Sequence, residues 1–220
     1  MQRSVFGLCL ASALALGGAA LAQTTGDDAP VGKQAGTFMI RGRVIGVIPE
    51  DNSSDTTVGG HVRASAQAAP EADFSYFFTD NIAAELIAAT TRHTVRAEGT
   101  AVGDVGVGST WVLPPTLTLQ YHFMPHEKFS PYVGVGVNAS FFYNTKPAKP
   151  IVQKLTLNDN IGAAIQIGCD YNFSGHWFAN VDVKQIFLDT DAHLMTVLGP
   201  VKANTSLDPM VVGVGIGYRF

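Results

Sequence analysis

Two short motifs, Arg41-Gly42-Arg43 and Asp182-Val183-Lys184, set charges two residues apart, and Asp73, Glu85, Asp170 and Arg219 stand in similar surroundings elsewhere along the chain. In extended backbone, residues two apart share a face. If those faces converge, Arg41, Arg43, Lys184 and Arg219 meet Asp73, Glu85, Asp170 and Asp182, four of each sign. Charges withdrawn from water have to pair, so the chemistry expected of this set is a polar plug, not an open ion path.

Other chemistry finds less support. His61, His93, His122, His126, His176 and His193 show no His-x-x-x-His spacing, so no metal site is expected. Gly103-x-x-Gly106-x-Gly108 lacks the following Lys-Ser or Lys-Thr of a phosphate loop, and no nucleotide or other cofactor is implied. A hydrolytic reading pairs His93 or His193 with Asp189 or Asp191 on long connections. No local motif marks a nucleophile, so the chain is read as a non-enzyme.

The elements that must position these charges are strands. Segments of 9 to 14 alternating apolar and small or polar residues fall at 37–47, 65–78, 81–90, 115–123, 130–142, 160–173, 176–188 and 208–220. In the fourth, Leu117, Leu119, Tyr121 and Phe123 alternate with Thr116, Thr118, Gln120 and His122, a period of two that no helix shares. The connections alternate as well. Short turns at 79–80, 124–129 and 174–175 are separated by long stretches at 48–64, 91–114, 143–159 and 189–207. That asymmetry is the mark of an eight-stranded antiparallel outer-membrane β-barrel with its short turns and termini on the periplasmic side and its loops outside. A soluble sandwich or lipocalin shares the alternation, but its outward face is charged, whereas here the second face is mostly Gly, Ser, Thr and Asn.

Composition agrees. The 220 residues are 46% hydrophobic and 15% charged with a net charge of −4, so no basic excess is available for nucleic acid. After the first two dozen residues no run approaches the roughly 20 apolar residues of a spanning helix. Residues 1–22 read as a signal peptide, with Arg3, an apolar stretch and Ala20-Leu21-Ala22 before Gln23. Residues 23–36 read as a periplasmic tail and 37–220 as the barrel. With Cys9 in the leader, Cys169 stands alone and no internal disulfide is expected. Tyr121, Phe123, Tyr171, Phe173, Trp177 and Tyr218 fall near the short-turn ends of strands, where an aromatic girdle belongs. The terminal Phe220, two residues from Tyr218, suits recognition by the barrel assembly machinery.

Four runs carry a family resemblance: Phe78-Thr79-Asp80-Asn81-Ile82 with Glu85-Leu86, Leu113-Pro114-Pro115-Thr116-Leu117 with Gln120-Tyr121, Pro131-Tyr132-Val133-Gly134-Val135-Gly136-Val137-Asn138, and Val214-Gly215-Ile216-Gly217-Tyr218-Arg219-Phe220. From about residue 36 onward the chain resembles the OmpW family. The resemblance implies an eight-stranded barrel in the outer membrane of Gram-negative bacteria, in contact with its lipids and passing small hydrophobic molecules inward, as related AlkL-type proteins assist alkane uptake. Residues 97–108 and 145–154 follow no family pattern.

Parity also draws the lumen independently of the family. Ile45, Val47, Ile87, Ile186, Leu188 and Val211 face inward near the long connections, as an apolar vestibule for solute or as packing of the barrel top. Trp111 and Leu113 lead from the second long connection to the mouth, and Trp111 suits an outer-interface anchor equally. An apolar solute entering such a vestibule over a polar plug would leave sideways between strands. The alternative function is a structural or adhesive barrel whose loops bind host, phage or toxin.

Overall fold

The computed structural model describes residues 32–50, 53–56, 61–100, 103–197, 199–206 and 208–220. The leader at 1–22 and the tail as far as residue 31 lie outside the described residues. In chain order the strands are β1 (Phe38–Ile48), β2 (Ser53–Thr56), β3 (His61–Ala64), β4 (Gln67–Phe77), β5 (Ile82–Ala89), β6 (Thr91–Thr100), β7 (Gly103–Leu113) and β8 (Thr116–His122). They continue as β9 (Phe129–Pro147), β10 (Val152–Leu157), β11 (Asn160–Ser174), β12 (Trp177–Phe187), β13 (Asp189–Thr196), β14 (Gly199–Ser206) and β15 (Met210–Arg219).

Eight of these close on themselves in the order β11-β12-β15-β1-β4-β5-β8-β9, and β9 pairs with β11 to complete the cylinder. Closure leaves no open edge, which matters in lipid because an unpaired backbone amide there costs several kcal/mol. The eight barrel strands coincide with the eight alternating segments. Their outward residues are apolar: Val44, Leu117, Leu119, Val135, Ile167, Val181, Val214 and Ile216 are all exposed. Aromatic rings crowd the short-turn end, with Phe38 against Phe220, Tyr121 against Phe123, and Tyr218 edge-on to both Trp177 and Phe220.

One expectation needs correction. The long connections are not open loops, because β2, β3, β6, β7, β10, β13 and β14 occupy most of them. β6 and β7 form a ribbon that joins the upper part of β9, while β10, β13, β14 and β2 form a second sheet. At about 3.4 Å per residue, the 19 residues of β9 run well past the roughly 25 Å apolar band of such barrels. Alternating Val105 and Val107, with Leu155 and Leu194 facing them, give these ribbons a buried inner face of their own.

The described part of the N-terminal segment, residues 32–37, is held against the barrel. Lys33 N donates to Pro125 O at 2.8 Å, and Gly36 N donates to Phe77 O at 2.8 Å. These bonds tuck the segment under the short-turn end, where Met39, Phe77, Ala83 and Phe178 form a buried apolar floor.

Candidate functional site: an ion-pair plug beneath an apolar cavity

The interior is layered. Above the apolar floor lie the charges. Arg41 Nη1 donates to Asp73 Oδ1 (2.8 Å) and Ser75 Oγ (2.9 Å), and its Nη2 reaches Asp170 Oδ2 at 3.3 Å. Arg43 Nη2 lies 3.0 Å from Glu85 and 3.1 Å from Asp73. Lys184 Nζ sits 3.5 Å from Glu85 Oε2. Neutral donors add to the carboxylates' bonds: Gln120 and Gln166 donate to Glu85, Gln166 and Tyr132 donate to Asp182, and Asn180 donates to Asp170. Inner-wall glycines make room for these side chains. A methyl at Gly168 would overlap the Tyr132 ring, and one at Gly217 the Phe178 ring.

All eight charges expected inside are buried there. Arg219 departs from the pairing expected of it. Its Nε and Nη2 are buried without a hydrogen-bond partner among the described residues, and its guanidinium lies over the Phe178 ring, 5.9 Å from the centroid. The counter-ion it leaves, Asp170, is taken by Lys33, whose Nζ also donates to Ser130 Oγ and His122 Nδ1. Lys33 lies outside every alternating segment, so no periodicity pointed to it. Glu71 is a second addition, gripped by Arg43. It shares a face with Asp73 two residues on, and that parity was a usable signal.

Above the plug is an apolar cavity of about 360 Å³. Ile45, Val47, Ile87, Ile186, Leu188 and Val211 all line it, around a buried cluster completed by Ala69, Ala89 and Ala164. Val107, Val152, Leu155 and Leu194 from the upper ribbons extend the wall. Trp111 and Leu113 do not line it, contrary to their expected place at the mouth. Leu113 is 40% exposed, and Trp111 stacks on Tyr143. Thr110, Val112 and Pro114 line the cavity in their stead. The cause is a bulge: against β6, Val95 pairs with Gly108 but Arg96 with Gly106, which leaves Val107 as an extra residue on β7, and one extra residue exchanges the faces beyond it.

His93 lines the upper cavity as a neutral ring. Nδ1 donates to Ser65 O at 2.8 Å and Nε2 accepts from Thr91 Oγ1 at 2.9 Å. Burial lowers its pKa from the usual histidine value. His193 is exposed, and the side chains of Asp189 and Asp191 lie outside the described residues. Among the described residues no three His, Cys, Asp or Glu side chains come together as metal ligands.

The wall itself is interrupted at one place. Pairing of β5 with β8 ends at Ile87 and Thr116, and pairing of β6 with β7 resumes only at Thr91 and Val112. Between them stand Pro114 and Pro115, which have no N–H to offer a neighbouring strand. Asn138 spans the break, its Nδ2 donating to Thr116 Oγ1 (2.8 Å) and Pro114 O (3.2 Å). On the outer surface, Leu86, Pro115, Leu117 and Ile161 border a shallow pocket there.

The model of the OmpW family matches residues 34–220. The chain is 46% identical over 216 residues to the uncharacterized outer-membrane protein y4mB of Sinorhizobium fredii, covering 96% of this chain and 93% of that one. Among solved structures, the outer membrane protein OprG of Pseudomonas aeruginosa superposes with a TM-score of 0.81 at 32% identity, covering 86% and 98% of the two chains. The outer membrane protein AlkL in lipid bilayers gives a TM-score of 0.68 at 26% identity, covering 86% and 92%.

Proposed function

The chain belongs to the OmpW family of outer-membrane β-barrels, and from that premise we propose that it carries small hydrophobic molecules through its apolar cavity and releases them sideways into the bilayer. The observation that carries this reading is the vertical order of the interior. An apolar cavity of about 360 Å³ rests on a layer of buried ion pairs, so a solute that enters from the long-connection end cannot continue downward without desolvating charge. An eight-stranded barrel has little interior beyond what its side chains fill. The remaining way out is through the wall.

The break at Pro114-Pro115 supports such an exit. Opening it disrupts the bond from Thr90 Oγ1 to Val112 O on the β6 side and, on the β9 side, a few side-chain hydrogen bonds of Asn138 with the bond from Ala139 N to Pro115 O, and no continuous ladder has to part. The long-connection end faces outward and the short turns, the Lys33 segment and Phe220 face the periplasm, in keeping with the connection lengths. Phe220, exposed at the edge of the aromatic girdle, is the contact for the assembly machinery. Affinity derives from burying apolar area, about 25 cal/mol per Å², so it is modest and tolerant of solute shape.

The test is uptake of an apolar fluorophore by proteoliposomes carrying Ile186→Asn. Ile186 is 4% exposed on the cavity wall. A polar group there slows uptake several-fold while the barrel still shows its folded mobility on unheated gels. Unchanged uptake by a folded variant overturns the reading.

A further inference from the structure

The cavity has one charged corner. Among the described residues that line it, Glu71 is the only carboxylate, and no lysine or arginine lines it at all. Glu71 is 5% exposed and stands in register with Arg43 on one side and Ala89 on the other. Arg43 grips a single oxygen: Nε and Nη2 approach Glu71 Oε1 at 2.7 and 2.6 Å. Ala89 also lines the cavity, and its small side chain leaves open the space beside the carboxylate.

Charge is unevenly spread through the plug. Arg43 is shared among Glu71, Asp73, Glu85 and Asp182, Lys184 adds one cation near Glu85, and Arg41 a third between Asp73 and Glu85, so four carboxylates meet three cations. Lys33 and Arg219 lie at the opposite end, toward Asp170 and Phe178. The face of the plug turned to the cavity is therefore the acidic one. In apolar surroundings a charge acts over distance with little screening.

Resting on the uptake reading above, we propose that Glu71 is a head-group receptor and that the cavity selects single-tailed amphiphiles whose heads donate hydrogen bonds, protonated amines foremost. The head meets the acidic face of the plug at Glu71 beside Ala89, and the tail runs upward along Ile45, Ile87 and Val211. A carboxylate head meets like charge and is rejected. A plain alkane binds through the walls alone.

Displacement of N-phenyl-1-naphthylamine from the full chain in phosphatidylcholine nanodiscs tests this at pH 7 and 0.15 M salt, with empty discs as blanks. Octylamine should displace the probe at concentrations at least tenfold lower than octanoate, with octane between them. Glu71→Gln should bring octylamine and octanoate within threefold of each other and leave octane unchanged, while Glu98→Gln, an exposed acid on β6, should leave the wild-type ratio intact. Octanoate matching octylamine on the wild-type protein overturns the proposal whatever the variants do. Failure of octane itself to displace the probe overturns the uptake reading and this one with it; displacement by octane without head-group preference overturns this one alone.

Discussion

Lys33 Nζ lies 2.8 Å from Asp170 Oδ2, a buried ion pair between a residue ahead of the first strand and one on β11. It fastens the N-terminal segment to the inside of the barrel and completes the counter-charge of a carboxylate that Arg41 meets only at 3.3 Å. The two ends of the pair are not equivalent, because Asp170 serves two cations and Lys33 one carboxylate.

That inequality predicts the order of two variants. Asp170→Asn strands Lys33 and takes from Arg41 one of its three carboxylates, and leaving a buried charge without its partner costs about 3–5 kcal/mol. Lys33→Met removes the cation itself and leaves Asp170 with Arg41 and Asn180, so it costs less. Urea midpoints for folding into lipid vesicles should fall further for Asp170→Asn. Equal midpoints would show that the two ends of the pair are equivalent.

The upper ribbon should loosen in acid. His93 holds its proton less readily when buried than when free, so below the ordinary histidine pKa of about 6.5 the opened ribbon binds a proton that the closed one refuses. Stability is full above that pH and falls as pH drops through and below it. Amide exchange at the Ala64–Val95 pair, corrected for intrinsic rates, should speed up from pH 7 to 5 more than in the barrel wall. His93→Gln should abolish the difference.

Removing the Asn138 side chain should ease lateral release. Asn138→Ala deletes the bonds to Thr116 Oγ1 and Pro114 O, each worth about 1 kcal/mol, and uptake of an apolar fluorophore into proteoliposome bilayers should rise several-fold. A slower or unchanged rate would place the exit elsewhere.

The bulge in β7 yields a paired prediction. Trp111→Ala, which removes a ring stacked on Tyr143, should leave cavity binding within twofold of the original. Val112→Trp, one residue on, fills the cavity that Val112 lines and should weaken probe binding tenfold or more. Reversal of that order would mean that the faces are not exchanged.

The barrel was legible because its code is local. Leu117 and Leu119 against Thr116 and Thr118 state which side is lipid, and repeating that pattern eight times settles the strand count. Burial of Arg41, Arg43, Asp73 and Glu85 followed from the same parity, since each sits inside an unbroken run. Trp111 and Leu113 went astray because a bulge adds one residue, and nothing local to Gly106-Val107-Gly108 announces it. The upper ribbons were hidden by their Gly, Thr and Asn content, which reads as loop until Val105 and Val107 find apolar partners far along the chain. Lys33 was invisible for a different reason: a single residue outside any period has no face to assign, and only tertiary contact places it.

The buried network in the lower barrel has a consequence for the membrane that holds it. A water-filled pore ties the number of copies present to the salt conductance of the whole envelope, and must be kept scarce or gated. Here most of the hydrophilic core is taken up by its own counter-charges, which predicts that adding copies leaves ionic leakage unaltered. Abundance can then follow demand alone.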